Sequence, residues 1–341
     1  ITLSTGTKVL TADLRRPNSH DLTPSTPPNG LRQAIGLTRA TAMVVGTIIG
    51  ASIFVQPSLV SGAVPSVSGM LLVWAAAGVL TLIGVLVTAE LASAFPGTGG
   101  VYVFLRESYS PAVAFLWCWA MFWSMHTGII AAIATVCARY VGFFVPLGDI
   151  GVRVVGIAAI LVLSAVNYVG VRYGTAVQTT FTIIKVAAVV LIVAAGFAAA
   201  RASSPPASAP APSLVPSLRA FVTATVAGLF AFGGWHMVTY TGDETVDARR
   251  TIPRALLIGT LAVTASYIAV NAAYLAVLSP AAVASSNRVA ADFADRVMGS
   301  GGAAAMSALV VFSTLGAMTG IILTGPRVYL AAAHDGLLFR W

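Results

Sequence analysis

Charge is the scarcest property of this chain. Only 9% of its 341 residues are Asp, Glu, Lys or Arg, against 57% that are hydrophobic. Soluble domains carry about 25% charged residues, so this sequence cannot assemble a water-exposed surface of the usual kind. Cysteine is nearly missing as well. Cys118 and Cys137 are the two, both inside one apolar run, which excludes a disulfide framework and a cysteine-based zinc site. Lysine occurs twice among the 19 basic residues, as Lys8 and Lys185. The chain carries no nucleophile–base set, no phosphate-cradling glycine loop and no grouping of metal-ligating residues. An enzyme is therefore not expected, nor a cofactor, nor a metal. The formal net charge of +8 belongs to short loops, where it orients a membrane protein rather than recruiting nucleic acid.

Long apolar runs take the place of charge, and the mean hydropathy is +0.90. Eight runs approach or exceed the roughly 20 residues that cross a bilayer: 36–62, 69–95, 111–145, 152–170, 175–199, 218–240, 254–278 and 302–334. The fold class expected is an all-α polytopic membrane protein. Residues 1–30, rich in Pro, Ser and Thr, read as a disordered tail. Residues 200–217 form a Pro/Ala/Ser linker that separates five spans (31–199) from three (218–341). Val289 to Met298 reads as a short surface helix. Placing the N-terminus in the cytoplasm puts twelve basic residues on inner segments and six on outer ones, so both ends are expected in the cytoplasm and the spans in the cell (inner or plasma) membrane.

Two stretches break the apolar pattern. Gly46-Thr47-Ile48-Ile49-Gly50-Ala51-Ser52 lies near the middle of the first span, and Phe230-Ala231-Phe232-Gly233-Gly234-Trp235-His236 lies in the sixth. Gly46 and Gly50 also form a GxxxG pair, which serves helix packing. Yet two interruptions five spans apart are the mark of inverted-repeat transporters that bind substrate between broken helices. A half-helix starting near Gly50 points free N–H groups at an anion. Carbonyls at Ile48 and from Phe230 to Gly233 suit an ammonium. Together they fit an α-amino acid zwitterion, over which Phe230 and Phe232 can close.

Lys185 sits mid-span, where a charge is costly and points to function, although a long side chain can also snorkel. It reads either as a fixed cation standing in for a sodium ion and tying the first and eighth spans, or as a proton carrier. His126 reads as a satisfied buried histidine or as a substrate contact. Glu90 is expected to pair with loop bases such as Arg106. Asp243, Glu244 and Asp247 face Arg249, Arg250 and Arg254 in one inner loop, either simply solvated or as a salt-bridge gate.

Taken in order, these motifs resemble the amino acid–polyamine–organocation superfamily, most closely its L-type amino-acid transporter branch. The resemblance rests on Ile35-Gly36-Leu37, Val45 to Gly50, Ala89-Glu90-Leu91 with Phe95-Pro96 and Gly99-Gly100, Tyr102 to Glu107, Phe181 to Val186, Phe230 to Trp235, Arg249-Arg250 with Pro253-Arg254-Ala255, and Phe293 to Arg296. It implies a LeuT-like inverted-repeat fold with broken helices 1 and 6. Eight of about twelve spans would be present, leaving the C-terminal side incomplete. It implies sodium-independent exchange of amino acids. Carboxylate would bind at Gly50, Ala51 and Ser52, with the amino group at carbonyls of Ile48, Phe230 and Gly233. Thr47 and Ala231 are further candidate substrate-binding residues, Phe230 would gate the site, and Lys185 would hold the sodium-like position. No disulfide-linked glycoprotein partner is expected, because the loop after the third span lacks Cys. Ala51-Ser52, His126-Thr127, His236 and Thr319 depart from the family's usual residues and bear on side-chain preference. The alternatives are a proton-coupled symporter using Lys185 and a non-transporting membrane sensor or partner built on a truncated permease.

Overall fold

A computed structural model describes residues 33–338 apart from 51, 170, 203–216, 287 and 300, without side chains at 171–173 and 175. The expected 1–30 tail, most of the linker and the candidate Ala51 therefore lie outside the described residues. The described elements are α1 (Leu37–Ile48), α2 (Ser52–Ala63), α3 (Val67–Ala94), α4 (Val101–Ser108), α5 (Pro111–Ala120), α6 (His126–Val141), α7 (Asp149–Val169), α8 (Val171–Ala202), α9 (Leu218–Ala231), α10 (Ala248–Val277), α11 (Pro280–Ser285), α12 (Val289–Met298) and α13 (Gly302–His334). A π-helical turn, Met121–Met125, joins α5 to α6, and a 3₁₀ stretch, Trp235–Glu244, follows α9. Apart from a single bridge between Ile35 and Thr245, all regular structure among the described residues is helical.

Seven helical segments are long and apolar enough to cross a membrane, and the bent pair α1 and α2, meeting at 47°, makes an eighth if it is one span. The chain is an all-α polytopic membrane protein. Helices suit lipid because every backbone bond closes within the segment. Their starts are marked in the sequence: Ser66, Ser110, Ser217 and Ser279 each accept from the N–H three residues on, which satisfies a group that the first turn leaves bare. The short helix expected over 289–298 is α12.

The core lies where α1, α3, α8, α10 and α13 converge. Trp74, Tyr267, Phe232 and Lys185 are among its largest fully buried side chains. The outer faces of α3, α5, α7 and α8 expose Leu, Ile, Val and Trp side chains, as a lipid-facing surface requires.

At the ends of the spans the charged pairs differ from the sequence expectation. Arg106 engages Glu107 at 2.8 Å and Asp335 at 2.5 Å, not Glu90. Glu244 turns away from its loop neighbours and pairs with Arg327 of α13 at 2.7 Å, both buried. Within the loop, Asp247 and Arg250 approach to 4.0 Å and are exposed. The physical reason is depth. Glu244 ends the 3₁₀ stretch inside the protein, where only a base on a packed helix can reach it.

Candidate functional site

The two interrupted stretches meet. After α1 ends at Ile48, Gly50 is buried and Ser52 opens α2. After α9 ends at Ala231, Gly234 adopts φ 100°, a left-handed conformation that favours glycine. A Cβ there would lie 3.1 Å from the Thr47 carbonyl oxygen, so the lack of a side chain lets one interruption press on the other. Thr47 Oγ1 lies 3.2 Å from the Gly234 carbonyl, and it also reaches Met43 O at 2.8 Å on its own helix.

Backbone groups that leave a helix inside a membrane need partners, and three side chains supply them. Lys185 Nζ donates to Gly46 O at 2.8 Å and to Ile49 O at 2.7 Å, with the residue 2% exposed. Ser313 Oγ donates to Gly50 O at 3.2 Å. Tyr267 OH lies 3.1 Å from Ile48 O and 3.0 Å from Ala231 O, so one phenol bridges the ends of α1 and α9. A hydroxyl has one proton, and the two carbonyls share it. Lys185 touches the eighth span by packing rather than by a hydrogen bond: a Cβ on Gly316 would sit 3.2 Å from its Nζ.

The remaining candidates fall in different places. Phe230 is 71% exposed, whereas Phe232 is 1% exposed and packs on Tyr267 with ring centroids 5.0 Å apart. Gly233 is exposed and Ala231 buried. His126 is buried with Nδ1 2.7 Å from Tyr329 OH. His126 and His236 approach the ring of Tyr240, at 6.0 and 5.7 Å. Thr319 is fully buried and donates to Leu315 O of its own helix. Residues 46–50, 185, 231, 234, 267 and 313 thus form one cluster. The two histidines form a second, with Tyr240 and Tyr329.

Below these, α4 is tied to the end of α13. Tyr102 OH donates to Asp335 Oδ2 at 2.7 Å. Burial pushes the Tyr102 phenol up from its ordinary range, and the bond to Asp335 adds to the shift.

Sequence reasoning missed Tyr267, Ser313, Tyr329 and the Glu244–Arg327 pair. The available signal for the first was a tyrosine near the middle of a span, since a buried phenol needs a partner.

The sequence model of the amino acid permease family matches residues 35–341. The chain belongs to the amino acid permease family. It is 34% identical over 317 residues to the b(0,+)-type amino acid transporter 1 of Homo sapiens, covering 91% of this chain and 64% of that protein. It is 33% identical over 317 residues to the Asc-type amino acid transporter 1 of Mus musculus, covering 90% of this chain and 59% of that protein. It is also 33% identical over 318 residues to the large neutral amino acids transporter small subunit 2 of Mus musculus, again covering 90% and 59%. The chain spans 59–64% of the length of these relatives. A permease family of this kind consists of transporters, not enzymes.

Proposed function

We propose that the chain belongs to a secondary active transporter of amino acids that works by alternating access, as a sodium-independent exchanger in a cell membrane with its N-terminus in the cytoplasm. The observation that carries this reading is the contact between the two interrupted stretches, held by Tyr267 and Thr47. In this reading α1 and α2 are one broken span, α9 and the 3₁₀ stretch are another, and residues 31–199 and 218–341 belong to two inverted repeats of a LeuT-like fold. The bundle containing the broken spans rocks against a scaffold that includes α6, α7 and α13.

The first N–H groups of α2 have no acceptor within the helix. With the dipole of that helix behind them, the N–H groups from Gly50 through Ser52 hold the substrate carboxylate. Each carbonyl has two lone pairs, so Ile48 O can serve the substrate ammonium while accepting from Tyr267. Carbonyls of Phe230 and Gly233 complete that end. Exposed Phe230 is the movable gate. Buried Phe232 instead braces Tyr267. Lys185 supplies a fixed positive charge where a bound cation would otherwise hold the carbonyls of α1. The relatives named above are amino acid transporters, which supports the substrate class. A disulfide-linked glycoprotein partner is not part of this reading.

The test is equilibrium binding of radiolabelled amino acids to the purified chain. The reading expects saturable binding of at least one amino acid that both the free carboxylate and the free amine of a competitor are needed to displace. Competition by amines or carboxylates alone, or no binding of any of the twenty, would overturn it.

A further inference from the structure

Gln178 plays no part in the site described above. It is 2% exposed, yet neither Oε1 nor Nε2 has a hydrogen-bond partner. A buried carboxamide left bare forfeits its hydration, and native proteins fill such places with ordered water.

Three features say what that water connects. Gln178, Thr182 and Lys185 recur at i, i+4 and i+7, the spacing of one helix face, and all three are buried. They line α8 over about 10 Å of rise. Thr182 Oγ1 donates to Gln178 O at 2.9 Å, which leaves its oxygen open as an acceptor. The facing helices are cut back at this stripe. A Cβ on Gly46 of α1 would land on Thr182 Oγ1 and lie 3.5 Å from Gln178 Nε2, while one on Gly320 of α13 would lie 3.0 Å from the same nitrogen. Gly46 also gives its carbonyl to Lys185, so lysine, threonine and carboxamide all gather around one glycine. Finally, Gln178 lines a cavity of about 10 Å³ together with Ile35, Arg39, Ala42, Met43 and Thr179, room for about one water. Arg39 is exposed, so the cavity lies toward the surface end of α1.

We propose that Gln178 holds a water in that cavity and that the stripe Gln178–Thr182–Lys185, with the Thr182 hydroxyl between its two ends, is a hydrated seam from Lys185 to the face carrying Arg39. Lys185 has three N–H groups and spends two on Gly46 and Ile49, which leaves one for the seam. The charged groups on this route are Lys185 and Arg39. No carboxylate is ion-paired with Lys185 among the described residues. A proton leaving Nζ for seam water is replaced by one from that water, so Lys185 exchanges its protons with one side of the membrane and keeps its charge. The role of Lys185 as a coupling cation rests on the transporter reading; the seam itself does not.

The lysine content makes the test specific. With Lys8 and Lys185 as the two lysines, ¹³C,¹⁵N-lysine labelling of the full chain in lipid nanodiscs gives two side-chain signals. Exchange of the Lys185 Nζ protons with water is then read by NMR beside Lys8 as the internal reference. The seam predicts measurable exchange at Lys185, slowed at least about tenfold by Gln178→Met, which keeps the length and removes the amide, with Lys8 unchanged. Thr182→Val should slow it as well and serves alone if Gln178→Met does not fold. Exchange at the wild-type rate in whichever of these variants folds, or a wild-type Lys185 whose protons do not exchange over hours, would overturn the seam. Amino-acid binding measured on the same samples reports separately. Its absence in the wild type would sink the transporter reading and leave the exchange result standing.

Discussion

Replacing Tyr267 by phenylalanine removes one oxygen from the centre of the protein and nothing else. The residue is fully buried. Its ring is held edge-on by Trp74, with centroids 5.5 Å apart, and in a tilted contact by Phe232 at 5.0 Å, so packing survives the change. What goes is the hydroxyl shared between Ile48 O and Ala231 O. One such bond is worth about 0.5–1.5 kcal/mol net, and leaving a buried acceptor short of a partner costs about 1–3 kcal/mol. Two carbonyls lose one proton between them, so a total near 2 kcal/mol is expected. About 1.4 kcal/mol of that falling on the substrate-competent arrangement weakens binding about tenfold. The control lies seven residues along the same helix. Tyr274 OH is buried with no partner, and deleting a hydroxyl that bonds to nothing is neutral or stabilising. The melting temperature should therefore drop and the amino-acid Kd rise for Tyr267→Phe, while Tyr274→Phe should leave both unchanged or improved. Equal effects in the two variants, or no effect in Tyr267→Phe, would refute the bridge.

The other predictions follow from the same geometry. Gly50→Leu should abolish amino-acid binding while leaving the protein folded, with a lowered melting temperature because the added side chain meets Ala317, 3.6 Å from a Cβ at this position; retained binding would contradict a backbone carboxylate site at the start of α2. Glu244→Gln leaves Arg327 as a buried, uncompensated charge and should cost about 3–5 kcal/mol, read as a large drop in thermal stability; a change under 1 kcal/mol would mean the pair is not closed in solution. Phe230→Ala, at an exposed position, should leave assembly intact and slow transport, and unchanged uptake kinetics would remove it as a gate. Lys185→Ala unpins the carbonyls of Gly46 and Ile49 and should remove activity at every pH if the residue is a fixed cation. Activity that survives with altered pH dependence would make it a proton carrier.

The spans were readable because twenty apolar residues in a row have few other uses, and α13 ends where the hydropathy placed it. The two interruptions were readable because glycine and hydroxyl residues mid-span stand out against valine and leucine. Their contact through Thr47 and Gly234 was inferable only from their matching positions in two halves. The side chains that hold the interruptions were less visible. Whether Tyr267 and Ser313 face α1 depends on how α10 and α13 are rotated, and the hydropathy of a helix that is apolar all round carries no such phase. Gln178 is seven residues before Lys185, a helical spacing that was present in the sequence but gains meaning only once Gly46 and Gly320 are seen opposite it. For Glu244, nearby Arg249, Arg250 and Arg254 are the obvious partners by sequence distance. The actual one, Arg327, lies 83 residues away, because the 3₁₀ stretch carries the carboxylate inward while the loop bases stay in solvent.

The most direct test of the account is uptake of labelled amino acid by the purified protein in proteoliposomes, run in three conditions: empty vesicles, vesicles preloaded with unlabelled amino acid, and empty vesicles under an inward proton gradient. Exchange through a site built on the two interrupted helices predicts uptake into preloaded vesicles, none into empty ones, and loss of the preloaded signal in Gly50→Leu. Uptake into empty vesicles driven by the proton gradient, or no uptake in any condition, would contradict it.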